Sequence, residues 1–111
     1  MTYRLAFNLH VLLVREGDVW VAQCLDYDIA AQGATISDAK EAFARTFGGQ
    51  VAVDLHHKVE PLQGFGPAPQ EYWDLFTSGE RLADPQPIYV PSDVPPAFVI
   101  HAMANDLRIS A

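Results

Sequence analysis

All eight prolines of this 111-residue chain fall between Pro61 and Pro96. Proline lacks a backbone N–H donor, so it is excluded from the interiors of helices and central strands. We therefore predict that residues 1–60 hold the regular core and that residues 61–111 form a proline-rich extension packing on it. Because half of the residues in this short chain are hydrophobic, its apolar surface suffices for one core, and we expect one domain overall.

The first half begins with the pattern of a β-hairpin. Residues 8–15 (NLHVLLVR) and 19–25 (VWVAQCL) are rich in aliphatic residues, and the turn sequence EGD at 16–18 separates them. Residues 29–32 predict a short third strand. In the second predicted strand both sets of alternating residues are largely apolar, so we expect both faces of the sheet to be covered.

A helix is predicted from Thr35 to about His57. Thr35 is placed to cap its start, with Asp38 three residues later. Apolar residues then recur every four positions and form one stripe that can lie on the sheet, namely Ala39, Phe43, Phe47, Val51 and Leu55. The expected fold is α+β, with a small antiparallel sheet of three to four strands and one long helix packed on it in the order β-β-β-α.

The extension carries weaker signals. Residues 69–76 (PQEYWDLF) predict a short helix, with proline in its first turn and Gly79 beyond its end. Residues 83–96 contain five prolines and predict extended coil. Residues 98–110 fit either a helical face or a strand, and we favour a short strand.

The charge restricts the choice of partner. Fourteen acidic residues against seven basic ones give a net charge of −7, and the basic residues are spread along the chain. A phosphate backbone would repel such a surface, so we expect no direct DNA binding, and a basic protein suits the charge better. The alternative that acidity only aids solubility stays open. Without a membrane-length apolar run or a signal-peptide pattern, the chain is expected in the cytoplasm.

Few residues suggest chemistry. The four histidines do not have the spacing of a zinc site, and common nucleophile and phosphate-binding motifs are absent from the sequence. We interpret Cys24 as a buried structural residue. Asp26 and Asp28 are a close acid pair outside a helix, and paired carboxylates can hold a metal ion or act as solvated loop residues. We expect no catalytic residue, no metal and no cofactor, and therefore no enzyme.

Two tryptophans are candidate anchors for a partner, since buried tryptophan contributes strongly to interfaces. For both Trp20 and Trp73 the competing interpretation is a place in the chain's own core. Trp73 lies in the proline-rich half, and we include it among the candidate partner-binding residues.

Part of the chain resembles a known family. The run from Asn8 to about Ala44 consists of the hairpin and then VAQCLDYDIAAQGATISDAKEAF (21–43). The match is carried by Gly33, Thr35, Asp38, Ala39 and Ala42. This pattern resembles the HicB-like antitoxin family. The resemblance implies a truncated ribonuclease-H-like β-β-β-α core and a non-enzymatic protein that binds a partner, the antitoxin of a toxin–antitoxin pair or a solitary relative. The partner implied is a small basic toxin.

The chain departs from that family in two places. Many members append a DNA-binding segment, but residues 61–111 contain only Arg81 and Arg108 against six acids. Where the family loop carries proline and glycine, this chain has Asp26, Tyr27 and Asp28. We take these three residues, with Trp73, as the candidate partner-binding site.

Two other functions compete with this interpretation. One is a small-ligand-binding or degenerate nuclease-like domain that uses Asp26 and Asp28. The other is a structural subunit that mainly self-associates. A small sheet leaves edges exposed, so we also expect a homo-oligomer, most simply a dimer, with the hairpin edge or residues 98–110 in the interface.

Overall fold

The computed structural model describes residues 3–82, 86–88, 95 and 98–110. Its elements along the chain are β1 (Tyr3–Glu16), β2 (Val19–Cys24), β3 (Ala30–Gly33), α1 (Ile36–His56), α2 (Gln70–Ser78), β4 (Glu80–Arg81), β5 (Gln86–Ile88) and β6 (Phe98–Ser110). The strands form one six-stranded sheet in the order β3-β2-β1-β6-β4, with β5 also paired to β6. The α+β class is confirmed.

The predicted hairpin is present. β1 and β2 pair antiparallel from Val11 opposite Cys24 to Glu16 opposite Val19. Gly17 in the connecting turn has φ +61°, a left-handed conformation that glycine adopts without steric cost. β1 begins at Tyr3, earlier than the predicted start at residue 8, because its first half pairs with a strand from the far end of the chain.

That strand corrects the predicted sheet. β6 lies parallel to β1 from Phe98 opposite Tyr3 to Ser110 opposite Val14, so the sheet is mixed and has six strands. We expected an antiparallel sheet of three to four strands and only a short strand at the end of the chain. A parallel neighbour requires a long crossover connection, and alternation within a strand does not reveal which distant strand it will pair with. The extended coil expected over 83–96 contains β5, and its other residues except Pro95 lie outside the described part.

α1 covers one face of the sheet. The hydroxyl oxygen of Thr35 accepts a hydrogen bond from the backbone N–H of Asp38 at 3.1 Å, which confirms the predicted N-cap. The predicted apolar stripe is buried in full: Ala39, Phe43, Phe47, Val51 and Leu55. At the start of α1 the chain is so close to β3 that a Cβ on Gly33 would lie 2.5 Å from the backbone nitrogen of Ala39.

α2 covers part of the opposite face. Its buried Phe76 packs with Leu12 of β1, Leu25 and Ala68 in a second apolar cluster, separate from the core under α1. Both faces of the hairpin are therefore covered, as the apolar residues on both sides of β2 predict. No helix in the described part of the chain is long and apolar enough to span a membrane.

The structure changes the basis of the expected dimer. From Val11 onward, β1 lies between β2 and β6. β2 in turn lies between β1 and β3. This stretch of the hairpin therefore has no free edge among the described residues. Phe98 and Ile100 of β6 pack against the core under α1 and do not form an unpartnered apolar run. The hairpin from Val11 onward and the apolar run of β6 are thus occupied within one chain. The oligomeric state stays a prediction.

Candidate functional site

The four candidate partner-binding residues lie at two places in the fold. Asp26, Tyr27 and Asp28 form the loop that connects β2 to β3, and Trp73 lies in α2. The structure brings Asp26 and Trp73 together through a third residue, His10 of β1. Tyr27 packs on the opposite side of the sheet, and Asp28 has a different partner from Asp26.

Asp26 is held by His10 through two contacts. Its Oδ2 accepts a hydrogen bond from the backbone N–H of His10 at 2.7 Å, and its Oδ1 lies 3.0 Å from His10 Nδ1. The backbone C=O of His10 accepts from the N–H of Leu25 at 2.9 Å. The side chain of His10 is 43 % exposed and that of Asp26 is 26 % exposed, so the pair remains accessible from solvent.

The histidine ring in turn contacts α2. Its centroid is 5.9 Å from the ring of Trp73 and 5.7 Å from the ring of Phe76, the latter edge-on. Trp73 is half-buried and packs against the cluster formed by Leu12 and its neighbours. Trp73 thus contributes to packing within the chain, and its role as a partner-binding residue stays a prediction.

Tyr27 belongs to the α1 side of the sheet. Its ring meets the ring of Phe7 edge-on at 6.3 Å, and Phe7 in turn contacts Phe47 of α1. Burial raises the pKa of the Tyr27 hydroxyl, with the charge of Asp26 adding to the effect. The aromatic body of Tyr27 is thus engaged in packing within the chain.

Asp28 is exposed but hydrogen-bonded. Its Oδ1 accepts from Nε2 of the buried Gln23 at 2.9 Å, and its backbone N–H donates to the C=O of Gly66 at 2.8 Å. The residue also lines a cavity of about 220 Å³, with Ile29, Ala30, Thr46, Gln50 and Phe65. Asp26 and Asp28 therefore hold different side chains. Over the described residues, no three His, Cys, Asp or Glu side chains converge in a way that could hold a metal ion.

A second polar group beside α2 was not predicted. Arg108 of β6 places its guanidinium 4.5 Å from the centre of the Phe76 ring and donates to the C=O groups of Phe76 and Thr77 at 3.2 and 3.3 Å. Asp106 accepts two hydrogen bonds from Arg108, which lower the pKa of its carboxyl group. Arg108 thus binds the carbonyls at the end of α2. Only the place of β6 in the sheet brings these residues together.

Cys24 is a structural residue. The side chain is fully buried beneath α1, and burial raises the pKa of its thiol to about 11. The predicted burial of Cys24 is confirmed.

The α2 face combines accessible acids with an aromatic ring. Glu71 and Asp74 on α2 are exposed, and Asp26 and Asp28 lie on the neighbouring loop. We call the set Asp26, Asp28, Glu71, Trp73 and Asp74 the acidic α2 surface. Such a surface suits a basic partner, because opposite charges favour encounter and the aromatic ring supplies apolar contact.

No family model, curated protein or solved structure matches this chain.

Proposed function

We propose that the chain is a HicB-like, non-enzymatic protein-binding module that works in the cytoplasm as the antitoxin of a small basic toxin. The observation that supports this proposal is the arrangement of β1, β2 and β3. They form an antiparallel meander with α1 packed on one face, which is the β-β-β-α core that the family resemblance implies. We also propose that the protein is a homodimer.

The acidic α2 surface is the proposed contact with the toxin. Its carboxylates at Glu71 and Asp74 are exposed, while the nearby cation Arg108 is already engaged with Asp106. A basic partner would therefore meet uncompensated negative charge at α2. The net charge of −7 adds long-range attraction for such a partner.

The first step of the test is to find a small basic protein encoded beside the gene for this chain. We expect it to arrest growth when expressed alone and to be neutralised by co-expression. Glu71→Lys is expected to lower the affinity of the purified pair about tenfold, because it places a cation against a basic partner. Glu41→Lys is the matched control, since Glu41 is an exposed glutamate on α1, on the other face of the sheet.

Three results would contradict the proposal. One is a gene neighbourhood that encodes no small basic protein. Another is a neighbouring protein that this chain neither binds nor neutralises. A third is an equal loss of affinity for both charge reversals, which would show attraction to the net charge without a specific surface.

The absence of enzymatic activity has its own test. β1 carries a single carboxylate, Glu16, at its hairpin end, and Asp26 is bound to His10. Two-metal nuclease chemistry needs several carboxylates that converge on the metals. We expect no cleavage of RNA or DNA above background with Mg²⁺ or Mn²⁺. Metal-dependent cleavage that Asp26→Ala abolishes would contradict this expectation.

A second candidate function is binding of a small ligand beside Asp28. The cavity of about 220 Å³ that Asp28 lines is the observation that favours it. If this site takes a divalent cation, Mg²⁺ will raise the unfolding temperature of the protein and Asp28→Asn will remove the increase. An unchanged unfolding temperature would count against cation binding there.

A further inference from the structure

Among the described residues, the first half of β1 is paired on one side only, and we call its other side the free edge. β6 pairs with β1 from Tyr3 to Val14, whereas β2 pairs with β1 only from Val11 onward. On the β2 side of Tyr3–Leu9 no strand of the described residues lies alongside. A ribbon of β1 and β6 therefore extends past the rest of the hairpin.

The direction of the backbone groups along this edge follows from His10. Its N–H donates to Asp26 Oδ2 and its C=O accepts from the N–H of Leu25, so both groups point toward the β2 side. Backbone groups alternate in direction along a strand, and the extra residue at the register shift lies on β6, leaving β1 regular. Asn8, Ala6 and Arg4 consequently point their N–H and C=O groups toward the free edge.

This edge lacks the usual protection against strand pairing. Soluble proteins guard exposed edges with charges, prolines, bulges or very short strands. Residues 3–9 of β1 contain no proline, and Arg4 is their single charge. Leu5 and Phe7 pack against the core under α1, and Tyr3, which is 51 % exposed, stacks on Phe98 with ring centres 5.5 Å apart.

We propose that a second copy of this chain pairs with the free edge, antiparallel, with the two-fold axis near Leu5 and Ala6. The pairing is self-complementary: with the axis at Leu5, Tyr3 lies opposite Phe7 of the other copy and Arg4 lies opposite Ala6. The two copies each carry a charge of −7, and residues 3–9 contain no acid, so approach here avoids most of their repulsion. The result is one continuous sheet across the dimer.

The hydrogen bond from His10 to the Asp26 carboxylate marks the residue at which the paired segment must end. The carboxylate occupies the N–H of His10, the next edge-facing donor after Asn8, so an added strand must end before residue 10. The interface lies on the β1 edge and is distinct from the acidic α2 surface. It therefore does not depend on whether the chain neutralises a toxin, and its test uses the isolated protein.

Site-directed cross-linking tests the register. Opposite residues at a two-fold axis have Cα atoms about 4.5–5.5 Å apart, within reach of a disulfide. Leu5→Cys or Ala6→Cys should therefore form a disulfide-linked dimer under mild oxidation. Asn8→Cys is the matched control, because residue 8 of one chain would lie more than about 10 Å along the strands from residue 8 of the other chain. The native Cys24 is buried and does not compete. Equal cross-linking at all three positions, or none at residues 5 and 6, would overturn the proposal.

Light scattering over a range of concentrations provides the second test. Ala6→Pro removes an N–H that points to the free edge and spares the ladder between β1 and β6. We expect the native chain and Ala6→Thr, which keeps the N–H, to have the mass of a dimer. Ala6→Pro should have half that mass, with thermal unfolding showing that it is folded. A monomeric native chain, or a folded Ala6→Pro variant that stays dimeric, would overturn the proposal.

Discussion

The carboxylate of Asp26 accepts a hydrogen bond from the backbone N–H of His10 at 2.7 Å and lies 3.0 Å from the Nδ1 of the same residue. This contact occurs where β2 ends and leaves the side of β1. A side chain thus takes the place of a paired strand for one residue. The same contact orients the His10 ring against Trp73 and Phe76 of α2.

Removing the Asp26 carboxylate should destabilise the protein. Asp26→Ala leaves the N–H of His10 without its acceptor, which costs about 1–3 kcal/mol in the free energy of unfolding. Asp26→Asn keeps an oxygen acceptor and should cost less, because the side-chain contact with the imidazole is partly exposed and contributes little. Urea unfolding of both variants measures the difference. An equal loss for the two would show that the charge matters more than the hydrogen bond.

Two glycines should respond to alanine in opposite directions. A Cβ on Gly33 would lie 2.5 Å from the backbone nitrogen of Ala39, so Gly33→Ala must push α1 away from β3 and should cost about 1–3 kcal/mol. Gly49 lies within α1, and apart from its chain neighbours and the adjacent backbone of the helix no atom lies within 4 Å of an added Cβ. Gly49→Ala should therefore stabilise the protein by about 0.4–1 kcal/mol. Thermal or urea unfolding of the two variants measures both changes. A Gly33→Ala variant with an unchanged free energy of unfolding would mean that α1 shifts easily.

The apolar stripe of α1 should dominate core stability. Phe47 is fully buried and Phe43 is 3 % exposed, so alanine at either position should cost about 3–5 kcal/mol. Val53 lies on the same helix but is 49 % exposed, and Val53→Ala should change the free energy of unfolding by less than about 0.5 kcal/mol. Denaturant unfolding of the three variants provides the comparison. Losses below about 1 kcal/mol for both phenylalanines would be incompatible with this packing.

Asp106 should contribute to the acid limb of the stability curve. Hydrogen bonds from Arg108 lower the pKa of the Asp106 carboxyl group in the folded protein. The unfolded chain therefore takes up this proton at a higher pH than the folded protein does. The resulting stabilisation is present above the unfolded pKa and is lost as the pH falls through the folded pKa. In unfolding experiments from neutral pH to about pH 2, Asp106→Asn should lose stability less steeply than the native protein. Parallel acid limbs would exclude this contribution.

The elements that depend on local interactions can be predicted from the amino-acid sequence. The hairpin follows from alternating residues on either side of a turn that contains Gly17, and α1 follows from its cap at Thr35 and its four-residue apolar period. These signals involve residues close in the chain, so they can be read without knowledge of the fold. The apolar residues on both faces of β2 also predicted that each side of the hairpin is covered.

The pairing of β1 with β6, which joins the two ends of the chain, is known only from the tertiary structure. The residue pattern of β6 did not predict that it pairs parallel to β1, because the pattern of a strand does not identify the strand it pairs with. The candidate site depends on the same long-range contacts. Asp26 and Trp73 were candidate residues from the sequence, but the contacts of His10 with both of them depend on the fold. Arg108 reaches Phe76 because β6 lies beside β1, a contact made by residues far apart in the sequence.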